Sequence, residues 1–558
     1  MADEKSTTTE LRQAAKEGKA EAQFKLGMVY RYEEDQKDDA EALKWFLKAA
    51  EQDYPDAQFN LGLMYQSGEG VEKDVAEALK WIRKGADNNS AVAQFYLGAK
   101  YQNGEGVPRD YAEAARWYRK AAEQGNASAQ FSLGAMYEEG KGVPRNNAEA
   151  LKWYNKEAEQ GDACSQYSLG WKYQKGEGVP QDYTEAVKWY NKAAEQGLTA
   201  AQLRLGLMYQ KGEGVPQDHI KAFSLLRQAA EHGEAEAQSH LGLMFDKGEG
   251  VPRNNTEAVK WLRKAAEQGE AQAQNSLGVK YENGEGLPQD YAEASKWYRK
   301  AAEQGNAEAQ CNLGLMFHFG NGVPQDYGKA SQWFLQAAGQ ENARAQRFLA
   351  DMSLKGEGLP RSEVEAVRWY RKAAENGDSK AMRNLTDLCD KGNAVAQLNL
   401  GLMHETGKGV KQNYAEAIKW YSKASALGLA EAQLTLGLMY IKGEGYLTDE
   451  AEAVKWFRKA AVQDSAEAQF NLGLMHLSGE GLPQDTAEAL KWLRKAADKD
   501  FAEAQFYLGL MHFKGEGVAQ NDAEALSWME KAAEKGNINA RYHLGCMYRD
   551  GKGVTADI

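Results

Sequence analysis

Residues 128–137 read SAQFSLGAMY, and the segment EEGKGVPRNN that follows interrupts them with glycines and a proline. Ala129, Leu133, Met136 and Tyr137 stand at i, i+4, i+7 and i+8, which is one face of an α-helix. The glycines permit positive φ and the proline stops helix continuation, so the segment is a turn. One unit earlier, AEAARWYRKAAEQG (112–125) makes a second helix, with Ala114, Trp117, Tyr118 and Ala121 inward and Gly125 as C-cap. Asp110 with Glu113, and Asp182 with Glu185, have the spacing of an acidic capping box. Glu113 and Arg116 form an exposed i, i+3 pair.

The same pair of helices recurs along the chain. Its glutamine serves as an anchor at Gln23, Gln58, Gln94, Gln130, Gln166, Gln202, Gln238, Gln274, Gln310 and Gln346. The slot is then held by Met382, Gln397, Gln433, Gln469, Gln505 and Arg541. The step is 36 residues, except 35 at the first pair and 15 between Met382 and Gln397. Such a period is the signature of a solenoid, in which one helix pair cannot bury its apolar face alone. The expectation is an all-α fold: about 14 full 36-residue helix-turn-helix repeats, one shortened unit and one partial unit. The 56 glycines of the 558 residues fit four per full unit.

The pattern A-x-A-Q-F-x-L-G-x-M-Y, then G-x-G-V-P-x-D-Y-x-E-A-x-x-W-Y-x-K-A-A-E-Q-G, resembles the Sel1-like repeat family, relatives of the tetratricopeptide repeats. It covers the chain from about Leu11 to Val554. The resemblance implies a right-handed α/α superhelix and a non-enzymatic scaffold or adaptor binding proteins or peptides along a concave groove. It also implies two alternatives: a bacterial host-interaction effector and, of another class, a β-lactam-binding or hydrolysing enzyme. The last belongs to a cysteine-paired branch, and Cys164, Cys311, Cys389 and Cys546 are far apart with no CxxC pair.

Charge and composition limit the partners. With 68 Lys and Arg against 81 Asp and Glu the net charge is −13, which repels nucleic acid and anionic membranes. The start, MADEKSTTTELRQ, has no apolar signal core, and the scattered cysteines fit a reducing compartment, so a cytoplasmic protein is expected. Secretion by a route without a signal peptide stays open. The loops GEGVPQD and GKGVPRN lack the strand and the GxxxxGK[ST] spacing of a phosphate loop. No GxSxG elbow or Ser-x-x-Lys pair offers a nucleophile, so no enzyme activity and no cofactor are expected. His404, His476 and His512 share one slot in successive units, roughly 10 Å apart at helix spacing. That separation is too great for a shared metal, and no metal site is expected.

Exceptions to the repeat are its individual features. The segment 378–392 lacks about 21 residues and divides the chain into arrays 1–377 and 393–558. A lone helix there either kinks the array or, as one longer helix, patches the gap. The chain ends after the first helix of a unit, so either it is a fragment or the uncovered end packs on a partner or, by self-association, on a second copy.

First-helix slots one, five and eight after the anchor line the face expected to meet a partner. They read Leu434, Leu438 and Ile441, then Phe470, Leu474 and Leu477, then Phe506, Leu510 and Phe513. An apolar strip of that kind suits a helix or an extended peptide. The competing reading packs the first two slots between neighbouring helices. The eighth slot switches from Gln, Glu or Asp to Ile441, Leu477 and Phe513 with the rest of the unit taken as unchanged, which favours a partner site there. Thirteen of the fourteen tryptophans share one second-helix slot and are expected to be core. Trp171 stands instead in a groove slot, as an aromatic anchor or a packing residue.

Overall fold

The computed structural model describes residues 10–33, 36–444 and 448–553. After a helical stretch over 10–16, thirty helices of 12 or 13 residues follow, from Ala20–Tyr32 to Ile538–Arg549. No strand occurs among the described residues, and the architecture is an all-α solenoid. It forms two compact units, Met1–Glu270 and Ala271–Ile558, and the segment 378–392 lies inside the second. The closing residues 554–558, part of the expected uncovered end, lie outside the described residues.

Local chemistry sets each helix. The first helix Ala127–Glu139 begins where the Asn126 side chain accepts from the Ala129 N–H at 2.9 Å, and ends at Gly140, whose φ is 73°. The second helix Tyr111–Glu123 begins where Asp110 accepts from the N–H groups of Ala112 and Glu113. The expected capping box is only half made. The Asp110 N–H donates to the Tyr101 carbonyl, and Glu113 turns outward to pair with Arg116 at 3.2 Å. At the far end Gln124 holds the cap position and Gly125, with φ 90°, follows it.

Helices approach closely because the first helix carries a glycine where the next one brings a ring. A Cβ at Gly134 would lie 2.6 Å from the Tyr154 ring, so only glycine fits there. The tryptophans do a different job from the one expected. Trp117, Trp153, Trp189, Trp261 and Trp528 are buried, whereas the other eight of that slot are half-buried. Trp153 packs on Tyr118 and Ala121 of the preceding unit, joining successive second helices. A lysine three residues on covers the outer ring face, with Lys120 Nζ 4.2 Å from the Trp117 ring centre and Lys423 Nζ 3.9 Å from that of Trp420.

The shortened unit is one helix, Ser379–Asp390, no longer than its neighbours. Toward the preceding unit it behaves as a first helix, with Leu388 and Asn384 beside Leu354 and Tyr370. Toward the next it behaves as a second helix, because Gln397 Nε2 donates to the Cys389 carbonyl at 2.9 Å. The unpaired helix brings the second helix before it beside the first helix after it. The second helix Glu363–Glu375 accordingly packs on the first helix Ala394–Thr406, two helices further on. Other close pairs two apart, such as Pro55–Ser67 with Ala91–Asn103, join two first helices. The junction is fixed by charge as well: Arg347 Nε reaches Asp378 at 3.0 Å and its guanidinium reaches Asp351 at 3.4 Å.

The anchor glutamine binds the units together. Gln130 Nε2 donates to the Ala122 carbonyl, eight residues back in the preceding second helix, at 3.0 Å. Its Oε1 accepts from Gln160 Nε2, thirty residues on, at 2.7 Å. The same double engagement recurs at Gln94, Gln310, Gln346 and Gln433. Where the later slot holds His232, Leu427, Lys499 or Lys535, the buried Oε1 of Gln202, Gln397, Gln469 or Gln505 has no hydrogen-bond partner. A buried acceptor left unmet costs about 1–3 kcal/mol.

Two substitutions test this arrangement. Gln94→Leu should destabilise its unit by about 1–3 kcal/mol, because it strips partners from Ala86 and Gln124. Leu427→Gln, at an exposed position, should stabilise by about 0.5–1.5 kcal/mol by meeting Gln397. Hydrogen exchange resolved by unit reads both effects, and equal protection in Leu427→Gln and the parent would refute the pairing.

Candidate functional site

The apolar side chains singled out in the sequence lie on successive first helices, Ala430–Lys442, Ala466–Ser478 and Ala502–Lys514, all in the second compact unit. Ile441 is 37% exposed. Leu434, Leu438, Phe470, Leu474, Leu477, Leu510 and Phe513 are half-buried. Each therefore combines a packed flank with an accessible one. Leu434 and Leu438 rest on the Phe457 cluster, Phe470 and Leu477 on the Leu493 cluster, and Leu510 and Phe513 on the Met529 cluster. Phe506 differs. It is 8% exposed, contacts the Tyr507 and His543 rings, and is a core residue rather than part of an accessible strip.

The eighth slot does not change alone, which corrects the sequence reading. In five units its polar side chain accepts a hydrogen bond from a tyrosine on the following second helix. Tyr118 donates to Gln102 and Tyr154 to Glu138, each at 2.6 Å, and Tyr298 to Glu282 at 2.5 Å. Tyr190 with Gln174 and Tyr421 with Glu405 complete the set. The tyrosine ring is buried, so its hydroxyl needs an acceptor. Opposite Ile441, Leu477 and Phe513 the second helix carries Phe457, Leu493 and Met529, which have no hydroxyl to satisfy. Leu354 is the instructive exception, since Tyr370 finds Asp351 instead, at 2.5 Å. Internal packing thus permits the apolar eighth slots, and their partial exposure is a separate fact.

Electrostatics around these tyrosines follow from burial and from the acceptors. Burial and the neighbouring Glu138 both push the Tyr154 hydroxyl well above its usual range. Burial also acts to raise Glu138, but hydrogen bonds from Lys172 and Tyr154 outweigh it and hold the carboxyl low. Burial pushes the Cys311 and Cys389 thiols up to about 12, so neither is a ready nucleophile at neutral pH.

Trp171 belongs to the first compact unit and is described by its own surroundings. It is half-buried, with Lys175 Nζ 4.9 Å and the Arg204 guanidinium 5.8 Å from its ring centre. Arg204 is held in turn by two contacts of 3.3 Å to Glu236. Sequence reasoning missed the Arg347, Asp351 and Asp378 group, although Ala350 in the usual glycine position marked that unit as unusual. His404 and His512 are half-buried and His476 is buried, each with an Nδ1 that has no hydrogen-bond partner. Among the described residues no three His, Cys, Asp or Glu side chains gather in a metal-binding group.

A double-mutant cycle checks the slot pairing. Tyr421→Phe and Glu405→Leu should each destabilise, by about 1–3 kcal/mol for the variant that strands a buried polar group. The double variant should lie close to the parent, as removal of both partners is nearly neutral. Additive losses in denaturant unfolding would show that the two groups are independent.

The Sel1 repeat family model matches the chain fifteen times, first at 20–54 and last at 538–558. It skips 379–393, so fourteen full units, one shortened unit and one partial unit stand as read from the period. Among solved structures, a protective antigen of uropathogenic Escherichia coli strains displaying an SLR fold is 36% identical. The match covers 78% of this chain and 90% of that one, with a TM-score of 0.43. A Sel1 repeat protein from Oxalobacter formigenes is 37% identical over 56% of this chain and 90% of its own, with a TM-score of 0.45. Yeast Tom70 aligns over 89% of this chain and 96% of its own at 15% identity, with a TM-score of 0.25. No curated protein matches. No helix among the described residues is long and apolar enough to cross a membrane. By its repeats, the chain belongs to the Sel1 repeat family.

Proposed function

We propose that this protein is a non-enzymatic scaffold that holds partner proteins by short segments laid across its first helices. The observation carrying this reading is the run of half-exposed apolar side chains on three successive first helices of the second unit. Leu434, Leu438, Phe470, Leu477, Leu510 and Phe513 each keep one flank in the core and one accessible, and Ile441 and Leu474 stand beside them on the same helices. Packing fixes their positions, so a partner meets side chains already ordered and loses little entropy in docking. A repeated apolar strip of this kind accepts an amphipathic helix or an extended segment. The net charge of −13 opposes nucleic acid as the ligand. We place the functional division of the array at 378–392, where a lone helix stands in for a pair, with 1–377 and 393–558 addressing different partners. Trp171, ordered between two cations, is the candidate contact in the first array.

The test is Leu477→Glu combined with Phe513→Glu. Affinity capture with the intact chain, read by mass spectrometry, should lose its specific partners, while helical circular dichroism and the melting curve stay close to the parent. Unchanged capture would overturn the assignment of the strip. A collapsed melting curve would show that the two residues serve only the core.

A further inference from the structure

Two habits of the repeat lapse together in one unit. Twelve of the thirteen aligned tryptophans carry a lysine over the ring, with Nζ 3.9 to 5.4 Å from its centre. Trp333 has Gln336 in the lysine position, and its ring is left uncovered. Elsewhere an arginine donates to a tyrosine eighteen residues on, Arg83 to the Tyr101 hydroxyl and Arg119 to that of Tyr137 at 2.7 Å. At Arg299 the same position holds Phe317. The Arg299 guanidinium lies 5.9 Å from the Phe317 ring centre, as that of Arg119 lies 6.0 Å from Tyr137, but no hydroxyl accepts from it. Where Phe245 faces Arg227, the guanidinium turns to Glu231 at 2.8 Å. Arg299 has no ion pair or hydrogen bond among the described residues, and Glu303, one turn on, does not engage it.

Both lapses line one cavity of about 420 Å³, within the roughly 300–1,000 Å³ usual for binding sites. The second helices Tyr291–Glu303 and Tyr327–Gly339 supply Arg299 and Trp333, and the first helix Ala307–Phe319 supplies Phe317. Val323 and Pro324 of the turn add apolar surface. The exposed pair Glu113 and Arg116 of an ordinary unit is replaced here by Lys329 and Gln332. The lining therefore holds two cations, Arg299 and Lys329, and no acid. Lys329 Nζ stands 5.5 Å from the Phe317 ring centre and is engaged by Asp326 at 3.3 Å. With Asp326 counted, one positive charge remains, that of the unpaired Arg299.

From this we infer that the cavity binds the Asp or Glu side chain of a partner's peptide, with an adjoining aromatic or aliphatic side chain on the bare Trp333 ring. A carboxylate oxygen takes the place of the absent tyrosine hydroxyl and accepts from Arg299. The guanidinium fork suits a carboxylate because both are planar and can share two hydrogen bonds. Arg299 is exposed, so the carboxylate reaches it without displacing a partner of its own. This inference rests on the reading of the protein as a scaffold and adds a contact chemically distinct from the apolar strip.

Selection of a random peptide library on the full chain tests it. Peptides with Asp or Glu next to Phe, Tyr, Trp or Leu should be enriched. The best of them should bind Arg299→Gln roughly tenfold or more weakly, as expected for loss of a charged hydrogen bond. Phe317→Tyr restores the hydroxyl that other units place there, and it should weaken binding similarly by occupying Arg299 from within. Both variants should melt like the parent, because one changes an exposed side chain and the other returns the slot to its usual residue. Changing the peptide's acid to its amide should weaken binding to the parent, with little further loss on Arg299→Gln. Unchanged affinity in either variant, or enrichment without an acid, would overturn the cavity. So would self-association of the chain that Arg299→Gln abolishes, since the occupant would then be a second copy. Peptides lost by the Leu477→Glu, Phe513→Glu chain but kept by Phe317→Tyr would overturn the cavity while sustaining the strip. An absence of any enriched peptide would count against both.

Discussion

A single buried amide in each unit holds the array in register. The anchor glutamine reaches back to a carbonyl of the preceding second helix and accepts from the cap of the following one. Three helices therefore meet at one buried side chain. A primary amide has donors and acceptors on opposite ends, and only a fixed spacing lets both ends find partners. The 36-residue step meets that requirement at Gln130, and the 35-residue first step meets it at Gln23 with Gln52 as the donor. The glycine opposite each ring sets how near the helices come, and the tryptophans set how the outer layer stacks. Neither needs the strict spacing that the amide imposes.

The remaining polar chemistry follows the same logic. A buried tyrosine hydroxyl demands an acceptor on the neighbouring first helix, whereas Ile82, Leu226 and Leu262 in the same slot make no such demand, although Gln66, Gln210 and Asp246 stand opposite them. Units that dispense with the hydroxyl are free to carry an apolar side chain in the acceptor slot. Ile441, Leu477 and Phe513 arose within that freedom. Their apolar character is a consequence of internal packing, and their accessibility is what gives it an external use.

The fold was legible because its signals are local: the face of Ala129, Leu133 and Met136, the turn glycines and the acidic caps each depend on residues a few positions apart. The candidate site was legible only in part, because its physics runs between helices. The eighth slot looked independent until its partner, sixteen residues further on, was placed beside it. Phe470 and Phe506 hold the same slot, yet His543 helps to cover the second of them, and nothing in the slot itself announces this. Eight of the thirteen aligned tryptophans are half-exposed although their slot is uniform in sequence.

The lone helix at Ser379–Asp390 makes parity a property of this chain. Adding or deleting whole helix pairs lengthens or shortens such an array but leaves every surface on its original side. An odd helix instead sets a second helix against the first helix two places on, as Glu363–Glu375 meets Ala394–Thr406. Loss of about 21 residues, a change no larger than many loop deletions, is enough to do so. A repeat protein can thereby join a second helix to a first helix across a gap without altering a residue of the units on either side.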